Sequence, residues 1–238
     1  MSAAIVTGAA GAIGRAVAEE LSAQDRAVVL VDRSEAVEAV RDELRSRGVR
    51  AEACVVDLAA PDAPATVLAA AERAGGPAVL VNNAGITRDA RADAMDVDDF
   101  RLVVRVNLVA PLRLAEAVAD QLPDGGTIVN VSSRAALGNF GQANYVAAKS
   151  ALIGATRALA VHLAPRVRVN AVAPGLVDTP MTQAMPAHVL DKLVDRVPAG
   201  RAADPREIAG VVGFLCAPAS AYVTGQVLLA CGGRSIVG

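Results

Sequence analysis

Aromatic residues are almost absent from this chain: among 238 residues there are three Phe, two Tyr and no Trp. Lysine is scarcer still against its alternative, since 21 of the 23 basic residues are Arg and only Lys149 and Lys192 are Lys. Each Tyr and each Lys therefore stands out as a candidate for chemistry that Phe or Arg would not serve. The three cysteines, Cys54, Cys216 and Cys231, are odd in number and far apart, which argues against a disulfide framework or a zinc knuckle. Two histidines, His162 and His188, leave almost no material for a His-based metal site, and no metal is expected. Charge of one sign is also lacking. A net charge of −2 gives no reason to expect nucleic acid or an anionic membrane surface as partner. Apolar runs are short and interrupted by Arg, Asp or Gly, so no transmembrane helix is expected. No basic stretch precedes an apolar one at the start, so no signal peptide is expected. A cytoplasmic protein is expected.

What is present is a large reserve of apolar residues, 53% against 20% charged, enough for one sizeable core and incompatible with disorder. Strand-like runs occur at Ala4–Val6, Ala27–Val31, Ala53–Val56, Val79–Val81, Thr127–Val131, Val167–Ala171 and Gln226–Leu229. Between them lie helix-like stretches at Ile13–Ala23, Glu35–Arg47, Ala65–Arg73, Phe100–Gln121, Ala143–Leu163 and Pro205–Leu215. Near-continuous apolar strands fit a parallel sheet covered by helices on both faces. The alternation predicts an α/β fold, a Rossmann-type doubly wound sheet of seven parallel strands in a single domain. Only residues 177–203 lack a clear element. Their position after the sixth strand suits a substrate lid, and Met181, Met185 and His188 suggest that it closes over an apolar pocket.

The first strand runs into Thr7-Gly8-Ala9-Ala10-Gly11-Ala12-Ile13-Gly14 and a helix. Small residues let the main chain approach a pyrophosphate seated on the helix N-terminus, so Gly8, Gly11 and Ile13 are nucleotide-binding candidates. Asp32 ends the second strand, where a carboxylate accepts hydrogen bonds from an adenosine ribose and repels a 2′-phosphate. That favours NAD(H) over NADP(H). Arg33 beside it offers the opposite preference through phosphate pairing. Asp57-Leu58 and Asn82-Asn83-Ala84-Gly85 follow the third and fourth strands, at the strand ends where ligands of such sheets bind.

Tyr145-Val146-Ala147-Ala148-Lys149 opens a long helix, and a spacing of four puts phenol and ammonium on one face. An ordinary phenol titrates near 10, and acid catalysis near neutrality calls for something close to 7. A fixed cation nearby is expected to lower it. Ser132-Ser133 ends the fifth strand within reach of a substrate carbonyl, and Asn107 sits in a helical stretch as a poor helix former.

Together these residues resemble the short-chain dehydrogenase/reductase family over essentially the whole chain. The TGxxxGxG turn, NNAG, an Asn–Ser–Tyr–Lys tetrad with YxxxK, and Pro-Gly after the sixth strand all have counterparts. The resemblance implies that Tyr145 donates and accepts the proton. Lys149 would lower the tyrosine pKa and bind the nicotinamide ribose, Ser133 would orient the carbonyl, and Asn107 would support a water relay behind Lys149. Pro174, Gly175, Val177 and Thr179 would flank the nicotinamide. The pattern departs from the family at Ala12, where a glycine is usual, and in a loop before Tyr145 that is one residue short. Counting back from Tyr145 selects Ser132 as the tetrad serine; counting from the strand, the rigid anchor, selects Ser133.

Within the family, the segments Asn83–Asp89 and Gly138–Tyr145 look like the 3-oxoacyl-ACP reductases. Asn107–Leu114 and the tail Cys231–Gly238 look like NADH-using actinobacterial members. This implies reduction of a 3-oxoacyl thioester and a homotetramer built on the Phe100–Gln121 and Ala143–Leu163 helices. An acyl carrier protein is a possible partner, although Pro123-Asp124-Gly125 stands where family members carry a basic docking residue. Arg166 and Arg168 are the remaining docking candidates. A secondary-alcohol, polyol or steroid dehydrogenase is the alternative within the family, and a nucleotide sensor or scaffold without turnover the alternative outside enzymes.

Overall fold

A computed structural model describes residues 2–236, apart from the side chain of Met181; the tail segment compared above thus extends two residues past it. In chain order its elements are β1 (Ala3–Thr7), α1 (Ala12–Ser22), β2 (Ala27–Asp32), α2 (Ala36–Ser46), β3 (Ala51–Val55), α3 (Ala63–Arg73) and β4 (Pro77–Asn82). There follow α4 (Val97–Val104), α5 (Ala110–Ala119), β5 (Gly126–Val131), α6 (Ala143–Leu163), β6 (Val167–Pro174), α7 (Pro180–Gln183), α8 (Ala187–Val194), α9 (Pro205–Cys216) and β7 (Val227–Ala230).

The seven strands form one parallel sheet in the order β3-β2-β1-β4-β5-β6-β7. The chain winds outward from β1 to β3, then crosses to β4 on the other side of β1, so the switch point lies between β1 and β4. Successive strand residues feed opposite faces, as the period of two requires. Ala4 and Val6 join one core with Leu21, Leu44 and Leu215, and Ala3 and Ile5 join the other with Val67, Leu114 and Ala160. Burying each of these leucines contributes about 1.5–3 kcal/mol. The expected doubly wound single-domain α/β fold is the one observed.

Three expectations need correction. The helix read as continuous over Phe100–Gln121 is two helices, α4 and α5, joined by a π-helical turn at Arg105–Val109. In an α-helix the N–H of residue 111 would donate to the carbonyl of Asn107, but Pro111 has no N–H, so the regular ladder is broken there. Residues 177–203 are not without structure, since α7 and α8 lie within them. The segment starts and returns on a bridge between Val177 and Ala203, with Asp178 N donating to Ala203 O at 2.8 Å and Ala203 N to Leu176 O at 2.9 Å. Finally, α6 is long and apolar enough to cross a membrane by length and composition. Its inner stripe, including Lys149, Leu152, Thr156 and Ala160, is buried within the fold.

A buried polar chain ties the second half of the sheet to α6. Asn82 Nδ2 donates to Asn130 Oδ1 at 2.9 Å, Asn130 Nδ2 to Thr156 Oγ1 at 2.9 Å, and Thr156 Oγ1 to Leu152 O at 2.8 Å. Every one of these groups is buried with a partner, as buried polar atoms require.

Candidate active site

The C-terminal ends of the strands open into a cleft of about 540 Å³ over the switch point. A smaller cavity of about 110 Å³ adjoins it, sharing Gly8, Asp32, Ala84 and Gly85. Gly8, Gly11, Ile13, Asp32, Asn83, Ala84, Gly85, Ser133, Tyr145, Lys149, Pro174, Gly175, Val177 and Thr179 line the cleft, and Arg33, Asp57 and Leu58 line the smaller cavity. Asn107 lines neither and is wholly buried behind them.

One wall is main chain. Gly8 has φ +68°, and a Cβ there would lie 2.9 Å from Ala84 Cα. At Gly14 a Cβ would fall 2.2 Å from Gly8 O, while at Gly11 the same contact is 3.4 Å. The turn thus closes on itself through glycines at positions 8 and 14, and α1 begins at Ala12 with its first N–H groups unpaired by side chains. Thr7 and Asn83 lock the turn to the end of β4. Thr7 Oγ1 accepts from Asn83 N at 2.9 Å and Ala84 N at 3.0 Å, and Asn83 Nδ2 donates to Thr7 O at 2.9 Å. Asp32 is fixed at the next strand end, accepting from Ala10 N at 3.1 Å and Ser34 N at 3.0 Å. A Gly-walled cradle with free helix N–H groups and a carboxylate one strand away fits a dinucleotide, with the pyrophosphate on α1 and a ribose at Asp32.

The facing wall is side chains from β5 and α6. Tyr145 and Ser133 both line it. Burial raises the Tyr145 phenol above its ordinary value, the hydrogen bond from Ser133 opposes this, and the Asp89 carboxylate raises it further. Lys149 is buried, donates from Nζ to Val131 O at 2.7 Å, and lies 5.7 Å from the centre of the tyrosine ring. Burial alone brings its ammonium down to about 8. The expected lowering of the phenol is therefore absent in the protein by itself: desolvation dominates, and the ammonium faces a carbonyl rather than the phenol oxygen. Of the two serines, Ser132 Oγ donates to Lys149 O at 2.9 Å and braces α6, which leaves Ser133 as the one against Tyr145.

Asn107 sits in the π turn and holds the strand-end loop on both sides. Its Oδ1 accepts from Ile86 N at 2.9 Å and its Nδ2 donates to Ile86 O at 2.8 Å. A Cβ on Gly85 would lie 2.8 Å from Asn107 Oδ1 and 3.5 Å from Lys149 Nζ, so both side chains converge on that glycine.

Asn144, which no spacing in the sequence marks, is wholly buried. It donates to Arg88 O at 2.8 Å and accepts from Tyr145 N at 2.7 Å, pinning the loop after β4 to the start of α6. Its signal was a short polar side chain immediately before the tyrosine at a helix start. One other expectation fails. Met185 and His188 do not line the cleft, the side chain of Met181 lies outside the described residues, and α8 buries no residue; the lid contributes Thr179, Pro180 and Thr182 instead. Arg166 and Arg168, the candidate docking residues, are half-buried and bonded within the chain. Arg166 donates to Leu122 O and to Ala119 O, and Arg168 to Ser220 Oγ at 3.0 Å and Val223 O at 3.3 Å. Both flank the start of β6, at the sheet edge opposite the cleft.

Comparison with known proteins places this geometry in context. A family model described as Enoyl-(Acyl carrier protein) reductase matches residues 8–235. The chain is 40% identical over 236 residues to the 3-oxoacyl-[acyl-carrier-protein] reductase FabG of Pseudomonas aeruginosa, covering 97% of this chain and 96% of that one. It is 38% identical to the (2S)-[(R)-hydroxy(phenyl)methyl]succinyl-CoA dehydrogenase subunit BbsD of Thauera aromatica, covering 98% and 96%. Among solved structures, a putative NAD(P)-dependent gluconate 5-dehydrogenase from Beutenbergia cavernae, with bound NADP at low occupancy, superposes with a TM-score of 0.91. That protein is 38% identical, with 98% of this chain and 96% of that one covered.

Proposed function

The chain belongs to the short-chain dehydrogenase/reductase family of NAD(P)-dependent oxidoreductases, and from that premise we propose that it reduces the 3-oxo group of an acyl thioester to the 3-hydroxyacyl product. The observation that carries this reading is the pair of hydroxyls, Ser133 and Tyr145, gathered on one wall of the cleft with Lys149 buried behind them. Two O–H groups on one wall of the cleft suit a carbonyl oxygen that gains negative charge as it is reduced. A nicotinamide dinucleotide in the cleft would supply the hydride. Tyr145 gives its phenolic proton to the developing alkoxide, and Ser133 orients the carbonyl before that transfer. Lys149 holds its cation near the phenol, and Asn107 fixes the Ile86 main chain behind it.

For the cofactor, Gly8, Gly11 and Ile13 hold the pyrophosphate against the start of α1, and Asp32 takes the adenosine ribose. Arg33, Asp57 and Leu58 border the adenine end. Asn83, Ala84 and Gly85 form one side of the passage to the nicotinamide, and Pro174, Gly175, Val177 and Thr179 the other. Asp32 favours NAD(H): a carboxylate held by two main-chain donors stands where a 2′-phosphate would have to sit. The thioester carrier is CoA or an acyl carrier protein. Phe100, Val109 and Val161 leave apolar surface exposed on α4, the π turn and α6, which suits the homotetramer that the family resemblance implies.

The test is consumption of NADH and NADPH, at equal concentrations, with acetoacetyl-CoA. The expected result is fast turnover with NADH, from a preparation that light scattering finds several times the 24.1 kDa chain mass. Turnover with NADPH alone transfers the selecting role from Asp32 to Arg33. No turnover with either overturns the thioester reading in favour of a free ketone, secondary alcohol or polyol.

A further inference from the structure

Another cavity, of about 460 Å³, opens at the other end of the sheet, between the ends of α2 and α3 and the starts of β2 and β3. It shares no residue with the cleft or with the smaller cavity beside it. Its volume falls in the range of small-molecule sites, roughly 300–1,000 Å³. Four charged side chains line it: Arg45 from the last turn of α2, Arg50 just before β3, Glu52 in β3 and Arg73 from the last turn of α3. Val49 and Ala74 add apolar surface between them.

An arginine in the last turn of a helix ordinarily serves the carbonyls of its own helix. Here both helix-end arginines reach across to β3 instead. Arg45 Nε donates to Ala51 O at 2.8 Å, and its Nη2 to Glu52 Oε2 at 3.4 Å. Arg73 donates from Nε and Nη2 to Glu52 Oε1 at 3.1 and 3.0 Å. One carboxylate thus holds two guanidiniums, one on each oxygen, and these contacts leave the Nη1 of each over. Arg50 adds a third guanidinium to the same cavity, exposed and not engaged by Glu52. Three guanidiniums against one carboxylate give the cavity a surplus of two positive charges, in a chain whose net charge is −2.

We propose that this cavity binds a phosphate monoester of a small organic molecule, with the phosphate on Arg45, Arg50 and Arg73 and the organic part against Val49 and Ala74. A phosphate monoester carries about −1.5 to −2 near neutral pH, which answers the surplus, whereas a carboxylate answers half of it. Its oxygens match guanidinium forks in paired hydrogen bonds. Glu52 sets Arg45 and Arg73 in place before a ligand arrives, so less side-chain freedom is lost on binding. The site is independent of what the cleft binds or reduces.

The experiment is calorimetric titration at about pH 8, where the phosphate is a dianion, with phenyl phosphate, inorganic phosphate and benzoate as probes. The proteins are the wild type, Arg50→Gln and a control, Arg157→Gln, which removes an exposed arginine of α6 outside the cavity. The expected result is that phenyl phosphate binds the wild type at least about tenfold more tightly than benzoate. Arg50→Gln should weaken it about tenfold and Arg157→Gln less than twofold. Phenyl phosphate ahead of inorganic phosphate identifies the ligand as an ester; equal affinities keep the anion site and make free phosphate its ligand. Absence of binding overturns the proposal, as does a preference for benzoate or an equal loss in both variants. Phosphate binding that Arg50→Gln leaves unchanged also overturns it, because the anion then sits elsewhere, as at the start of α1.

Discussion

The two walls of the cleft are built from different materials. On the β1–α1 side the surface is main chain, kept clear by glycines whose missing side chains are a geometric requirement: a methyl at position 14 would overlap Gly8 O. On the β5–α6 side it is side chains, Ser133, Tyr145 and Lys149, the last two tied to buried partners, Val131 O for Lys149 and Asn144 for the Tyr145 main chain. The first wall is fixed by sterics and the second by hydrogen bonding and desolvation. Changes on the first should therefore alter binding and folding together, while changes on the second should alter rate and titration with the fold intact.

The sharpest contrast comes from Tyr145→Phe. Removing one oxygen from the side-chain wall leaves packing almost unchanged, and we expect a loss of at least about a hundredfold in kcat, the lower range for a positioned acid. Dinucleotide affinity, followed by fluorescence titration, should stay within about twofold. Turnover near the wild-type rate would remove Tyr145 from the chemistry.

On the main-chain wall the expected effect is smaller and of the other kind. Gly14→Ala forces the turn open against a carbonyl that cannot yield. We expect dinucleotide affinity to fall about tenfold, equivalent to about 1.4 kcal/mol, with a lowered unfolding temperature. Gly11→Ala, where the new methyl would meet only a 3.4 Å contact, should change both by much less. Equal effects at the two positions would break the steric account of this wall.

This division also governs what was legible in the sequence. The strands could be read because residues such as Ile5 and Val6 bury opposite faces of one sheet, which makes each strand a continuous apolar run. The glycine turn and the Tyr145–Lys149 spacing could be read because local main-chain geometry, a turn and one helical repeat, places their residues. What was not legible depends on contacts between distant segments or on a missing atom. The π turn follows from the absent N–H of Pro111, four residues beyond Asn107, and an apolar period runs through it undisturbed. Asn144 acquires its place only when the loop holding Arg88 folds against α6. Arg166 and Arg168 read as surface charge until the end of α5 and the residues before β7 supply carbonyls for them. The direction of the tyrosine shift differs for a related reason: sequence spacing places a cation near the phenol, but it does not reveal that Lys149 is buried, that Tyr145 is half-buried, or that the ammonium is turned to Val131 O.

That burial gives the subtlest test of the comparison, because it concerns a proton rather than a side chain. Lys149 titrates near 10.5 in an unfolded chain and is brought down to about 8 in the folded one by desolvation. Below pH 8 both states carry the ammonium, and the folded state bears the cost of keeping it from water. Between about 8 and 10.5 the unfolded state holds the proton and the folded state does not, so stability rises with pH through that window. Lys149→Met lacks the titration. Unfolding by urea at steps from pH 7 to 10 should therefore show the wild type gaining on the variant above pH 8, with a slope of at most about 1.4 kcal/mol per pH unit. Titrations shared by both proteins cancel in the difference, which makes its slope the quantity to read. A flat difference would mean that the ammonium is solvated when folded. The side-chain wall would then be a matter of shape alone, like the glycine wall opposite.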